Sequence, residues 1–473
     1  MPLSGRGSCL LALACIAAVA IGYGNVVDAF FVADDHVILF GLIDPDRAVR
    51  FLPERGSSFF RPLLALSFWV DWQLWAANLP AMHVVGFALH ALAAWLVGRA
   101  AATWTGSTLA GFTAALLFAT SPLHPEAVTW ISARGYPLGA ALSLLVLGAS
   151  AREQARASTL VVVGVAAAAA LLSVEPALPL VAYVMALGWA QRRRASLRLG
   201  LVVAAVTAAY LAARVACLGG LGGYRGSDGG AVHASLDVGR ALRTLTQAWG
   251  HLLAPGPWDG ADGWGITGLV CGTGAVALVV HALARHDRGS VRLLVALVAC
   301  VFAGLAVTAT WATLDADLSG VRYLYFVNVF WCSGIGLAAS RASAGRRHVV
   351  SALVAVMVAA QLVTLRAVNA RWAESGALAR AAIEGVSARV AGRDVHHVFL
   401  HGVPSSFRGA HALPWAVEQA VRVFVRFDLR VEVVPDDEQF ALVRRSYLAT
   451  PADQRAGVEV GTWDAEARRW RWE

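Results

Sequence analysis

Residues 30–41 read FFVADDHVILFG, so two adjacent carboxylates, Asp34 and Asp35, stand between runs of large apolar residues. They follow an apolar stretch at about 9–24, which places them beside a bilayer if that stretch crosses one. A carboxylate pair is costly to desolvate there, and one member should have a raised pKa, which suits a general base. Two other interpretations stay open: an exposed acidic turn that caps the next helix, or a divalent-metal site that uses Asp35 and His36.

The composition is that of a membrane protein. The 473 residues are 58% hydrophobic and 15% charged, with a mean hydropathy of +0.60, whereas an ordinary soluble domain carries about 25% charged residues. This excludes a soluble enzyme and a soluble nucleic-acid binder. The sequence contains no lysine, so all 39 residues counted as Lys or Arg are arginine, which excludes a Schiff-base lysine, a Walker-type lysine and a Ser-Lys dyad. The six cysteines lie singly in apolar stretches, as packing residues do.

Eleven apolar runs are long enough, or nearly so, to cross a bilayer with a hydrocarbon core of ~30 Å. They predict a polytopic α-helical membrane portion that covers residues 1–365. The runs lie at about 9–24, 80–98, 107–121, 136–150, 158–174, 176–190, 199–218, 264–284, 291–311, 321–340 and 348–365.

Arginine placement predicts how the chain is threaded. With the amino terminus in the cytoplasm, thirteen arginines fall in cytoplasmic connections, among them the run Arg192, Arg193 and Arg194. Leaving aside the long first loop, the opposite side holds five. This predicts a cytoplasmic N-terminus and an extracytoplasmic C-terminus, with the bacterial inner membrane as the expected location. The first run could instead be a cleaved signal peptide, which would leave the other helices oriented as before.

Three segments lie outside the predicted spans on the outer side. Residues 25–79 combine many aromatic residues with seven acids, and predict interfacial helices. Residues 219–263 begin Gly-rich and continue with an amphipathic stretch, which predicts a mobile loop followed by another interfacial helix. Residues 366–473 predict a small extracytoplasmic α/β domain. Its predicted elements are a strand at Val395–Gly402, a helix at Ala412–Phe424, a strand at Leu429–Val434, and a terminal hairpin of Val458–Trp463 with Arg469–Glu473.

Further polar groups stand beside or inside the apolar runs, mostly at their outer ends. Ionisable residues at membrane depth are expensive and indicate function by default, although a histidine on such a helix face is more often a hydrogen-bonded packing residue. Carboxylates and arginines on one side of a bilayer are typical of a site for an anionic, lipid-borne substrate. The residues are Arg61, His83, His90, His124, Glu126, Arg134, Glu175 and Arg322.

Five motifs in order carry a resemblance to a known family. They are FVADDHVIL (31–39), FRPLLALSFWVDWQLW (60–75), NLPAMHVVGFALH (78–90), LFATSPLHPEAVTWISARGYPLGA (117–140) and VRYLYF (321–326). Together they resemble the GT-C superfamily of membrane glycosyltransferases, and within it the protein O-mannosyltransferase-like proteins that carry C-terminal tetratricopeptide repeats. Two features depart from that pattern: Leu79 separates Asn78 from Pro80, and residues 366–473 show no 34-residue helical period.

The resemblance implies an inverting transfer of a hexose such as mannose from a polyprenyl-phosphate donor, without a nucleotide sugar. The acceptor would be a hydroxyl of a protein, a cell-envelope glycan or a lipid on the outer face. In this interpretation Asp34 or Asp35 is the general base, and Arg61, Arg134 and Arg322 hold the donor phosphate. The sugar or acceptor pocket is formed by His83, His124, Glu126 and Tyr323.

Two rival hypotheses belong to other functional classes. A transporter or flippase of lipid-linked glycans would also need many helices, but predicts polar residues through the middle of several helices and an internal repeat. A non-catalytic membrane scaffold would use the C-terminal region to bind a partner. No organic cofactor is implied, and a divalent metal ion stays open through Asp35 and His36.

Overall fold

The computed structural model describes residues 4–43, 58–150, 156–222, 238–259, 270–275, 277, 279, 288–342, 344–451 and 455–473. Its membrane portion contains α1 (Gly5–Tyr23), α2 (Asp34–Ile43), α3 (Pro62–Trp75), α4 (Leu79–Thr105), α5 (Thr108–Ala119), α6 (Pro125–Val128), α7 (Gly135–Ser150), α8 (Ala157–Leu171), α9 (Leu180–Ala190), α10 (Ala195–Leu218), α11 (Val238–Leu253), α12 (Arg288–Trp311), α13 (Tyr325–Ser340) and α14 (Arg347–Val390). The C-terminal part contains β1 (His397–His401), β2 (Ser406–Phe407), β3 (Ala410–His411), α15 (Val417–Phe424), β4 (Arg430–Val433), α16 (Asp437–Ala449), β5 (Val458–Asp464) and β6 (Arg469–Trp472).

The predicted polytopic helical class is confirmed. Among the described residues, seven helical stretches are long and apolar enough to cross a membrane, and three shorter apolar helices accompany them. These account for every predicted run except 264–284, which lies largely outside the described residues. The amphipathic stretch near 236–253 is helix α11, while most of the predicted mobile part of 219–263 lies outside the described residues.

Helices α4 and α5 form a tight hairpin whose ends are set by local sequence. The Asn78 side chain accepts a hydrogen bond from the Ala81 N–H at 3.0 Å and caps α4, while Gly106 ends α4 at a φ of +69°. Along the hairpin Gly98 faces Gly111, where an added Cβ at either position would lie within 2.8 Å of the other backbone carbonyl oxygen. Small residues thus let the two backbones approach closely.

Helix α1 ends against the middle of α14, and this contact fixes the start of the acidic segment. Asn369 of α14 donates its amide N–H to the carbonyl of Gly22 at 3.0 Å. Asn25 donates to the carbonyl of Arg366 at 3.1 Å. The chain that leads from α1 into residues 30–41 is therefore held at the middle of α14.

The C-terminal part contains a four-stranded sheet in the order β4-β1-β5-β6. Strand β1 is parallel to both β4 and β5, and β6 closes the sheet as an antiparallel hairpin with β5. The two predicted strands and the terminal hairpin are confirmed. The sequence prediction did not include the β2–β3 hairpin or helix α16.

The helix predicted at Ala412–Phe424 was wrong at its start, because α15 begins only at Val417. Pro414 cannot donate a backbone N–H and disfavours helix before it. The preceding residues pair with the chain across the turn instead: Ala412 N–H donates to Ser405 O at 2.9 Å, and Leu413 N–H donates to Pro404 O at 3.0 Å.

The predicted boundary between residues 365 and 366 falls inside α14, which runs unbroken for 44 residues. Its first part packs in the membrane core as far as Trp372, and its last part, from Leu378, packs under the β-sheet. One continuous helix therefore joins the two parts of the chain, and the division into domains stays a prediction.

Candidate active site

The acidic pair begins helix α2, and a backbone hydrogen bond from the C-terminal part of the chain holds the residue before it. Ala33 adopts a φ of +45°, a conformation that is rare for residues with a Cβ. Its N–H donates to the carbonyl of Ala412 at 2.8 Å. The C-terminal part of the chain therefore helps to hold the residue that precedes Asp34.

Asp35 is buried and satisfied by backbone donors. One carboxylate oxygen accepts from the Val32 N–H at 3.0 Å and the other from the Ser132 N–H at 2.7 Å. Burial nevertheless dominates and raises the pKa of Asp35 to about 7, against the lowering effect of these bonds. Asp35 thus ties α2 to the turn that precedes α7.

Asp34 is only half-buried. Its Oδ1 accepts a hydrogen bond from the indole N–H of Trp415, 381 positions further along the chain. Of the two carboxylates, Asp34 is therefore the more accessible.

His36 lies in an apolar enclosure formed by Phe30, Phe31 and Phe424, with ring centroids 5.7 to 6.4 Å from its own. This burial lowers the pKa of His36 to about 3. Within the described residues no group of three or more His, Cys, Asp or Glu side chains is placed to hold a metal ion. His36 is therefore surrounded by apolar packing. Among the described residues, Asp35 and His36 have no third side chain placed to complete a metal site.

Glu126 and Arg322 form an ion pair that anchors the VRYLYF motif. The Glu126 carboxylate is 2% exposed and accepts from the backbone N–H groups of Gly320 and Arg322 at 3.2 and 2.9 Å, as well as from the Arg322 guanidinium. That guanidinium lies 5.3 Å from the Trp130 ring centroid and 4.8 Å from that of Tyr323. Its side chain is 14% exposed, so Glu126 orients a cation that keeps some access.

Two residues that the sequence did not single out, His411 and Trp415, connect Asp34 with this ion pair. His411 Nε2 lies 3.7 Å from Glu126, and its ring centroid is 5.0 Å from Trp130 and 5.4 Å from Trp415. Burial is the main cause that lowers the pKa of His411, while Glu126 opposes the shift. Asp34, Trp415, His411, Glu126 and Arg322 thus form a continuous series of contacts.

Arg61 belongs to a second charged group, which is centred on Glu175. Its guanidinium pairs with Glu175, which also receives Arg214 at 2.7 Å. Arg214 donates to the Tyr210 hydroxyl at 2.9 Å as well. Arg61 is 20% exposed and lies 4.2 Å from the Phe59 ring centroid, so it too is a partly accessible arginine held by a buried glutamate.

Arg134 is placed differently from the other two predicted phosphate ligands. Its side chain is 1% exposed and pairs with Asp71, a residue of α3 that the sequence interpretation passed over. It also donates to the carbonyl of Met82 at 3.3 Å and lies 4.3 Å from the Phe68 ring centroid. Reaching a donor phosphate would require breaking the pair with Asp71.

The two histidines of the predicted pocket, His83 and His124, and the nearby His90 are enclosed among helix groups and aromatic rings. His83 is bonded through Nε2 to the carbonyl of Ala29 at 2.9 Å. His90 bonds the Tyr325 hydroxyl at 2.7 Å, and His124 lies 3.0 Å from the Asn328 amide nitrogen. All three are at most 2% exposed, which is the environment expected of hydrogen-bonded packing histidines. Tyr323 packs edge-on against Tyr136 with centroids 6.0 Å apart.

Comparison with known proteins identifies the fold. No protein-family model matches the chain, and no curated protein sequence matches it either. The crystal structure of ArnT from Cupriavidus metallidurans bound to undecaprenyl phosphate is similar with a TM-score of 0.54 at 13% identity, over 98% of this chain and 94% of that chain. The archaeal oligosaccharyltransferase AglB from Archaeoglobus fulgidus, in complex with an inhibitory peptide and a dolichol-phosphate, gives 0.56 at 12% identity, over 97% and 69%. Both are GT-C glycosyltransferases.

The chain has the GT-C fold. This confirms the fold that the five motifs predicted. At 12 to 13% identity the similarity concerns the fold alone, so the roles of individual residues within the GT-C fold are argued from the contacts described above.

Proposed function

We propose that this protein is an integral membrane glycosyltransferase that moves a hexose, such as mannose, from a polyprenyl-phosphate donor to an acceptor hydroxyl. The supporting observation is the series of contacts from Asp34 to Arg322, which joins a reachable carboxylate to a partly exposed arginine on a GT-C fold. Such a site offers a base for the acceptor and a cation for the leaving phosphate.

In the proposed step the acceptor oxygen attacks the anomeric carbon and its proton passes to the Asp34 carboxylate. The bond between the anomeric carbon and the phosphate oxygen breaks, and the electron pair leaves with the polyprenyl phosphate. Attack opposite to the leaving group inverts the anomeric centre. Asp35, held by two backbone N–H groups, positions the start of α2.

The leaving phosphate gains negative charge and needs stabilisation rather than a proton. Arginine suits this because its planar guanidinium can donate two parallel hydrogen bonds to phosphate oxygens. Arg322 and Arg61 are our candidates, since each is held by a glutamate yet keeps access. Arg134 is proposed as a positioning residue for α3 and α7, Glu126 and Tyr323 as residues that shape the sugar pocket, and His83 and His124 as buried packing residues.

The similar structures support a lipid-linked donor, since ArnT is bound to undecaprenyl phosphate and AglB to a dolichol-phosphate. The arginine distribution supports a cytoplasmic N-terminus, which puts the site on the outer face of the inner membrane. The acceptor would be a protein, a cell-envelope glycan or a lipid exposed on that face.

The proposal is tested by mass spectrometry of lipid-linked and protein-linked glycans from cells with the gene, without it, and with Arg322→Ala. We expect polyprenyl-phosphate hexose to accumulate without the gene. Arg322→Ala should lower transfer about 10²- to 10³-fold, as expected for loss of one group that stabilises developing charge. Arg426→Ala, which removes a surface pair with Asp428, is the control and should transfer normally. Identical glycans with and without the gene would refute the proposed function.

A further inference from the structure

A cavity of about 460 Å³ lies in the C-terminal part, next to the residues that contact Asp34. It is bordered by Gly402, directly after β1, and by Val433, the last residue of β4. These two strands are parallel, so the cavity lies outside their carboxyl ends. Open α/β sheets commonly bind ligands outside the carboxyl ends of their strands.

Trp415 is shared by the cavity and the candidate active site. Trp415 lines the cavity, and its indole N–H donates to Asp34. The neighbouring Leu413 and Pro414 also line the cavity, and Ala412 holds the backbone N–H of Ala33. A ligand in this cavity would therefore lie against a residue whose side chain contacts Asp34.

The lining has the chemistry of a carbohydrate site. Trp415 is 44% exposed and offers an aromatic ring to the apolar C–H face of a sugar. Ser405, Glu418 and Gln419 supply a hydroxyl, a carboxylate and an amide for sugar hydroxyls. Ligand pockets of this size combine apolar walls with a few placed polar groups in the same way.

A peptide fits this place less well. Extended peptides bind by adding a strand along an open sheet edge, where backbone groups stand in a row. The cavity instead lies across the ends of β1 and β4, and backbone bonds from Ala412 and Leu413 to Ser405 and Pro404 close the loop beside it.

We propose that this cavity is the acceptor subsite and that the acceptor is a carbohydrate, stacked on Trp415 and hydrogen-bonded by Gln419 and Glu418. The role of this cavity as an acceptor subsite rests on the proposed transferase function. The carbohydrate specificity rests on the cavity alone.

The test measures binding to the detergent-solubilised full-length protein by saturation-transfer NMR. The probes are a mixture of hexose oligosaccharides of two to six units and, separately, a serine- and threonine-containing peptide of ten residues. We expect the oligosaccharides to bind. Gln419→Ala should raise their Kd about 5-fold, as for loss of one hydrogen bond, and Trp415→Ala should raise it more than about 10-fold.

The chain offers a matched control. Gln439 occupies the third position of α16, in the sequence Asp-Glu-Gln, as Gln419 occupies the third position of α15, in Val-Glu-Gln. Gln439→Ala should leave the Kd unchanged. Trp415→Phe keeps an aromatic ring but loses the N–H donated to Asp34, and should bind the oligosaccharides within about 2-fold of the wild type.

Three results would overturn the inference: no oligosaccharide binding to the wild type, binding of the peptide in its place, or equal effects of Gln419→Ala and Gln439→Ala. A thermal unfolding midpoint equal to that of the wild type shows that each variant is folded. The proposed function can fail separately. If the wild type transfers no sugar from a polyprenyl-phosphate donor, but oligosaccharide binding still depends on Gln419, the carbohydrate site stands and the transferase does not.

Discussion

At the scale of single residues, the two aspartates that look equivalent in the sequence have different surroundings. Asp35 is buried and bonded to two backbone N–H groups, whereas Asp34 is half-buried and bonded to an exposed tryptophan. The pair could be located from the sequence because adjacent carboxylates in an apolar segment are costly to desolvate. The sequence could not show which aspartate is the more accessible, because that depends on contacts with Ser132 and Trp415, which are distant in the chain.

Asp35 should make stability depend on pH in a defined direction. Its pKa is about 7 in the folded protein against 3.8 for an ordinary aspartate, so between these values the folded state holds a proton that the unfolded state releases. The free energy of unfolding therefore decreases as pH rises from about 4 to 7. Asp35→Asn removes this titration.

The measurement compares thermal unfolding midpoints of the wild type and Asp35→Asn across that range. The wild type should lose stability relative to the variant from pH 4 to 7, and the difference should be constant above about pH 8. Parallel curves for the two proteins throughout would show that Asp35 is already ionised at pH 4.

His411 and Trp415 show why the rest of the site was not predictable. Neither lies in a motif or an apolar run: His411 directly precedes the helix predicted at Ala412–Phe424, and Trp415 lies within that predicted helix. Their contacts with Glu126 and Asp34 join positions 285 and 381 residues apart. Only the folded arrangement of α14 and the β2–β3 hairpin brings them there.

At the scale of elements, the Arg134–Asp71 pair joins the turn before α7 to α3. Both side chains are at most 5% exposed. Removing one partner leaves a buried, unpaired charge, which costs about 3–5 kcal/mol, while replacing both with apolar residues of similar volume is often neutral or stabilising.

We therefore expect Arg134→Met or Asp71→Leu alone to lower the unfolding midpoint strongly, and the double variant to regain most of the loss. Denaturation in detergent checks the stability, and a transfer assay checks the role. A well-folded double variant should transfer sugar within a few-fold of the wild type. A hundred-fold loss in that variant would instead favour Arg134 as the phosphate ligand that the sequence suggested.

Helix boundaries show what local sequence can and cannot predict. The cap by Asn78 and the left-handed Gly106 mark α4 from local signals alone, and the membrane helices follow from their apolar length. Helix α15 was predicted five residues too early, because Ala412 bonds with Ser405 and Ala33 rather than with its own helix. Hydrogen bonds to distant residues therefore set the start of α15, which hydrophobic periodicity alone could not predict.

At the scale of the whole molecule, α14 joins the membrane bundle to the C-terminal sheet. It carries the contact with α1 at Asn369 and packs under the sheet from Leu378 onward. Arg371 on the same helix donates to Asp259 and to the carbonyl of Arg408, beside the β2–β3 hairpin. The GT-C fold was predictable from ordered motifs, but the return of the C-terminal part onto Asp34 was not.

In the proposed reaction Asp34 accepts the proton of an acceptor hydroxyl while a polyprenyl phosphate leaves. The most direct measurement is sugar transfer in proteoliposomes from a polyprenyl-phosphate hexose, by the wild type and by Asp34→Asn. Asparagine keeps an oxygen that can accept from Trp415, so the variant should fold normally and still lose about 10²- to 10⁴-fold in rate. An Asp34→Asn protein that transfers sugar at the rate of the wild type would contradict this role of Asp34.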